Sequence, residues 1–93
     1  MYANFLLGTL SVTEAAAARL GRTPLDLIAR HAINDHGVIT QAEARRNQIS
    51  MKRLGPILSR FQIDPTDEKQ GHVLVITDEE WKSTTVQLEE EGD

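Results

Sequence analysis

"TQAEARRNQISMKRLGPILSRF", Thr40–Phe61, decides how the chain is folded. It opens on a capping box: Thr40 can accept from a first-turn N–H while Glu43 reaches back to the Thr40 amide. Ten residues on, Ser50 offers a second N-cap. Met51, Leu54, Ile57, Leu58 and Phe61 follow it as an apolar stripe at helical spacing, with Lys52, Arg53, Ser59 and Arg60 falling away from it. The pattern predicts two helices broken near Asn47–Ser50. Gly55-Pro56 sits inside the second of them, where proline removes a helix hydrogen bond. A single helix from Thr40 to Leu54, stopped at Gly55 and followed by a short helix from Pro56, fits the same letters.

Downstream, "FQI" and "HVLVIT", His72–Thr77, read as the strands of a hairpin around the turn-rich "DPTDEKQG", Asp64–Gly71. Thr77–Glu80 is a third capping box and predicts a short helix that tucks Trp81 against the body. Upstream, "SVTE", Ser11–Glu14, starts a helix through Ala15–Ala18 and Leu20, with Gly21 as its stop. Thr23 and Pro24 open another, whose apolar face is Leu25, Ile28, Ala29, Ala32 and Ile33. "NDHG", Asn34–Gly37, ends it, and Val38-Ile39 is long enough only for a bridge or a stub strand. The expected fold is mainly α with a small β-hairpin. Residues 1–88 form one small domain with an N-terminal arm, and residues 89–93 form an acidic flexible tail.

Ninety-three residues without cysteine exclude a disulfide framework and a thiolate metal site. The start lacks a basic leader and a long apolar run, which suits a soluble cytoplasmic protein without a membrane segment. The net charge of −4 hides a division, because residues 64–93 hold ten of the fourteen carboxylates. Arg45, Arg46, Lys52, Arg53 and Arg60 crowd into sixteen residues of the middle. Each cation that neutralises a nucleic-acid phosphate releases counterions, and an arginine fork can take both acceptors of guanine.

In order, residues 24–77 read helix, stub, helix, turn, helix, strand, loop, strand, which resembles a winged helix-turn-helix domain. The resemblance implies that the helix opened by Ser50 enters a DNA groove, with Ser50, Lys52 and Arg53 at base- or phosphate-facing positions. It sets Thr40, Gln41 and Arg45 near phosphates, beside Arg46 and Arg60, and puts Lys69, Gln70 and His72 on the wing. A second stretch, "TEAAAARLGRTPLDLIARH", Thr13–His31, is similar to the helix-turn-helix of small repressors. There Ala17 would be the packing residue, Gly21 the turn and Leu27 the buried position.

Function follows as an expectation: a DNA-binding transcriptional regulator, working on double-stranded DNA as a homodimer. Tyr2, Phe5, Leu6 and Leu7 are candidates for the dimer surface, or for an arm packed on its own core. The alternative is an interaction module or inhibitor that binds a protein through the acidic C-terminal segment. Nothing reads as an enzyme. His31, His36 and His72 lack the partners of a metal site, and Asp78, Glu79 and Glu80 suit a helix first turn. No serine has the setting of a nucleophile, and no cofactor is implied.

Overall fold

The computed structural model describes residues 5–92. Tyr2 of the expected dimer arm and Asp93 of the tail lie outside the described residues. One strand, three helices and then three more strands follow in order, and the four strands form one mixed sheet. They are β1 (Thr9–Val12), α1 (Glu14–Leu20), α2 (Leu25–Ala32), α3 (Gln41–Arg53), β2 (Ile57–Gln62), β3 (His72–Thr77) and β4 (Ser83–Leu88). The fold is therefore α+β, and the expectation of a mainly α winged helix-turn-helix is overturned.

The departure from a mainly α fold lies within Thr40–Phe61. The capping box at Thr40 and Glu43 forms as expected, but the helix it starts runs unbroken past Asn47–Ser50. It ends where Leu54 turns left-handed at φ 56° with its N–H on the Ser50 carbonyl. Pro56 then feeds a strand rather than a helix. Ile57, Ser59 and Phe61 point into the core and Leu58, Arg60 and Gln62 are half-exposed, the two-residue period of β structure. The proposed recognition helix does not exist.

The sheet order is β1-β4-β3-β2, with β1 parallel to β4 and the other pairs antiparallel. The expected hairpin is present and longer than "FQI", because all six residues of β2 pair with β3. The whole of β4 is additional. Between β3 and β4 the expected helix is a 3-10 turn, Glu79–Trp81, with Glu80 and Trp81 at positive φ. Asp78 holds this turn by accepting from the Lys82 and Ser83 amides and the Ser83 hydroxyl, each at 2.9 Å. Trp81 does tuck inward: its indole N–H donates to the Gly55 carbonyl at 2.9 Å.

Helices α1 and α2 cover one face of the sheet around Ala16, Leu27, Ile28, Phe61, Val73, Val75, Val86 and Leu88. The α1 cap is Thr13 rather than Ser11, which belongs to β1. Gly21 stops α1 in the left-handed region, as expected. The buried face of α2 is rotated from the expected one: Leu27, Ile28, His31 and Ala32 are inside, while Leu25 is 64% and Ile33 45% exposed. Phe5 is buried against the His31 and Trp81 rings, Leu7 packs on the core and Leu6 is exposed.

The outer edge of β2 is closed. The Asn47 amide spans the Leu58 peptide groups, donating to its carbonyl at 2.8 Å and accepting from its N–H at 2.9 Å. Two residues on, the Val38 N–H donates to the Arg60 carbonyl and the Arg60 N–H to the His36 carbonyl, forming a bridge at Gly37. An open edge would template pairing with another chain, and these contacts prevent it. Among the described residues, no helix is long and apolar enough to cross a membrane.

Candidate functional site

Two constellations stand out, one on the surface and one inside. On the surface, α3 turns Gln41, Ala42, Arg45, Arg46, Gln48, Ile49, Lys52 and Arg53 outward. At 100° per residue, Arg45 and Lys52 form one row and Arg46 and Arg53 a second, roughly 100° round the axis. Ala42 and Ile49, the latter 50% exposed, lie in the strip between the rows. Among the described residues, none of these four cations makes an ion pair or a side-chain hydrogen bond. The one carboxylate of α3, Glu43, faces away from them.

Glu43 faces Arg60 instead. The Arg60 guanidinium donates to both Glu43 oxygens, at 2.6 and 2.8 Å, and to Glu89 at 2.6 Å. Hydrogen bonding to Arg60 pulls the Glu43 pKa down to about 2, and its two carboxylates push Arg60 upward. Arg60 therefore serves the fold and leaves the basic cluster. Ser50 is 9% exposed and points inward, and Thr40 is spent on its cap. Lys69 and Gln70 sit in the 3-10 turn of the β2–β3 loop. Around them a cleft of about 520 Å³ also holds Arg19, His72, Glu89 and Glu90, so the expected wing is a place of mixed charge. Of the anticipated residues, the structure brings together Gln41, Arg45, Arg46, Lys52 and Arg53.

The acidic segment is bonded to the body. Residues Glu89–Gly92 form a 3-10 turn in which Glu89 meets Arg60 and Glu90 meets Arg19. Glu91 accepts from the Thr13 hydroxyl and the Leu88 amide.

Inside the molecule is a chain of polar groups that sequence reasoning missed. His36 Nδ1 lies 2.7 Å from Ser59 Oγ, and Ser59 Oγ lies 2.6 Å from His31 Nδ1. His31 Nε2 is 2.8 Å from Thr77 Oγ1, which is 2.7 Å from Thr84 Oγ1, which donates to the Leu7 carbonyl at 2.7 Å. That carbonyl only accepts, and it sets the direction of every bond before it. Thr84 donates to Leu7, so Thr77 donates to Thr84, and His31 must carry its proton on Nε2. Burial, with a smaller push from His36, lowers the His31 pKa to about 3. The ring is therefore neutral, its Nδ1 accepts the Ser59 proton, and Ser59 accepts from His36 Nδ1–H.

His31, Ser59 and Thr77 have no exposed surface and Thr84 has 1%. No substrate reaches Ser59, so the two histidines beside it do not make it a nucleophile. His36 is half-buried and lines a cleft of about 240 Å³ with Asn34, Ala44, Asn47, Gln48 and Met51. No group of three or more metal-ligating side chains occurs among the described residues.

No protein-family model, no curated protein and no solved structure matches the chain.

Proposed function

We propose that the chain binds double-stranded DNA by laying the outward face of α3 along the major groove, and that it acts there as a transcriptional regulator. The observation that carries this reading is the pair of unopposed cation rows flanking an apolar strip. A helix with its side chains is about 10–12 Å across, and the major groove is about 12 Å wide. The rows then meet the two phosphate backbones while Ala42 and Ile49 face base edges, where thymine methyl groups offer apolar contact. Seven residues separate the members of each row, about 10.5 Å along the axis.

The alternative, a module that binds a protein through its acidic end, is weakened by the internal bonding of Glu89, Glu90 and Glu91. A single helix reaches few base pairs, so a homodimer on a two-fold site is part of the proposal. A cysteine-free chain suits the reducing cytoplasm in which such a regulator works.

The test is the anisotropy of a labelled duplex across a salt series. Four phosphate contacts give a log–log slope of about −3.6, and each contact removed lowers its size by about 0.9. Arg45→Ala with Lys52→Ala is expected to halve the slope. A slope that does not move in that double variant refutes the α3 interface.

A further inference from the structure

The polarity of the buried chain has a consequence at its outer end. Because Ser59 accepts from His36, the His36 proton resides on Nδ1 and the Nε2 lone pair is left over. Among the described residues Nε2 has no partner, and no buried side-chain nitrogen or oxygen is unsatisfied. Nε2 is thus accessible rather than buried, and His36 is one of the residues that line the 240 Å³ cleft. An imidazole there is ordinarily ambiguous between donor and acceptor. Here the chain running back to Leu7 makes it an acceptor.

The rest of the cleft is selective in the same way. Asn47 offers nothing, since its amide is committed to the Leu58 peptide groups. The side-chain amides of Asn34 and Gln48 make no hydrogen bond among the described residues and can serve a ligand as donor and acceptor. Ala44 and Met51 supply apolar walls, and a thioether makes favourable contact with an aromatic ring. The volume lies below the 300–1,000 Å³ usual for drug-sized ligands, which limits the occupant to about one heterocycle. On α3, Gln48 is three residues from Arg45 and four from Lys52, so it neighbours both on the helix surface. The cleft opens beside one of the cation rows.

We infer that this cleft is a receptor for one unpaired adenine base, turned out of a strand whose phosphates Arg45 and Lys52 hold. The adenine amine donates to His36 Nε2 or to an amide oxygen, and an adjacent ring nitrogen accepts from the Gln48 or Asn34 amide. A side-chain amide pairs with adenine in that way in direct readout. Met51 lies against the ring. The inference rests on the α3 reading and adds a subsite to it. An unpaired base costs least to extrude, so the site distinguishes bulged from perfect duplexes.

Anisotropy titrations compare a duplex carrying one unpaired adenosine with the same duplex fully paired. A third duplex carries an unpaired thymidine. The wild type is expected to favour the adenosine bulge by about tenfold, within the discrimination that one amide–adenine hydrogen-bonded pair gives. Gln48→Ala, at an exposed position without partners, brings the ratio to about one, and His36→Ala does the same. In parallel, adenosine monophosphate is expected to shift the Met51 methyl and His36 Nε2 resonances. Tight binding of the paired duplex with no bulge preference overturns the subsite and leaves the groove reading standing. Equal preference for the thymidine bulge also overturns it, because thymine has no amine. Binding to none of the duplexes at low salt removes both readings.

Discussion

Acidification from pH 7 to pH 4.5 is expected to destabilise the protein, with the loss setting in above the range in which its carboxylates titrate. His31 has a pKa of about 3 in the folded chain, against about 6.5 in an unfolded one. Between those values the unfolded chain carries one proton more at this ring, so stability falls with pH by about 1.4 kcal/mol per unit. From pH 6.5 to pH 4.5 the loss is about 2.3 kcal/mol, a large share of the 5–15 kcal/mol typical of a domain. His36 is also lowered by burial and acts in the same direction. Glu43 joins only below its ordinary value of 4.5, as its Arg60-stabilised charge is lost toward pH 2. Urea unfolding followed by the fluorescence of the single tryptophan, Trp81, measures the effect at each pH. A stability that does not change between pH 6.5 and pH 5 refutes the argument. It would mean that His31 takes up its proton without loss in the folded protein, and the derived direction of the buried chain would fall with it.

Asn47→Ala is expected to cost about 2–4 kcal/mol, because two peptide groups of the β2 edge lose their partners at once; the Leu58 amide then exchanges with solvent far faster. Gly37→Ala is expected to cost about 1–2 kcal/mol for its left-handed backbone at φ 68° alone. The overlap of the new methyl group with the Arg60 carbonyl and the Phe61 ring adds to this in a thermal melt.

The main errors in reading the fold from the sequence, at β2, β4 and α2, share one physical source. Pattern reading assigns polar residues to the outside, and six of the buried residues among those described are polar: His31, Asn47, Ser50, Ser59, Thr77 and Thr84. Ser59 breaks the alternation of Ile57 and Phe61, so the strand passed for a helical stripe that borrowed Met51 and Leu54. Thr84 does the same to β4, whose inward residues are Thr84, Val86 and Leu88. His31 on the buried face of α2 shifted the inferred apolar face toward Leu25 and Ile33. Features set by local chemistry were legible: the Thr40–Glu43 box, the Gly21 stop and the hairpin around Asp64–Gly71. The cations of α3 were legible as a cluster. That Arg60 would leave it could be known only once β2 brought Glu43 and Glu89 together.

The same polar bonding explains how α3 is held. Its inward side presents Glu43, Asn47 and Ser50 rather than a row of large apolar residues, and the first two grip β2 through Arg60 and the Leu58 peptide groups. At the far end, the Glu80 amide bonds the Leu54 carbonyl and Trp81 bonds Gly55, fastening the corner between α3 and β2 to the β3–β4 turn. Apolar contacts tolerate rotation of a helix about its axis, whereas a two-bond amide clamp and a bidentate ion pair are directional. The roll of α3 is therefore set from within by groups one face away from the cations. Loosening the clamp should spread the directions in which Arg45, Arg46, Lys52 and Arg53 point without removing any of them. In the groove reading, Asn47 thus positions cations that its own side chain does not touch.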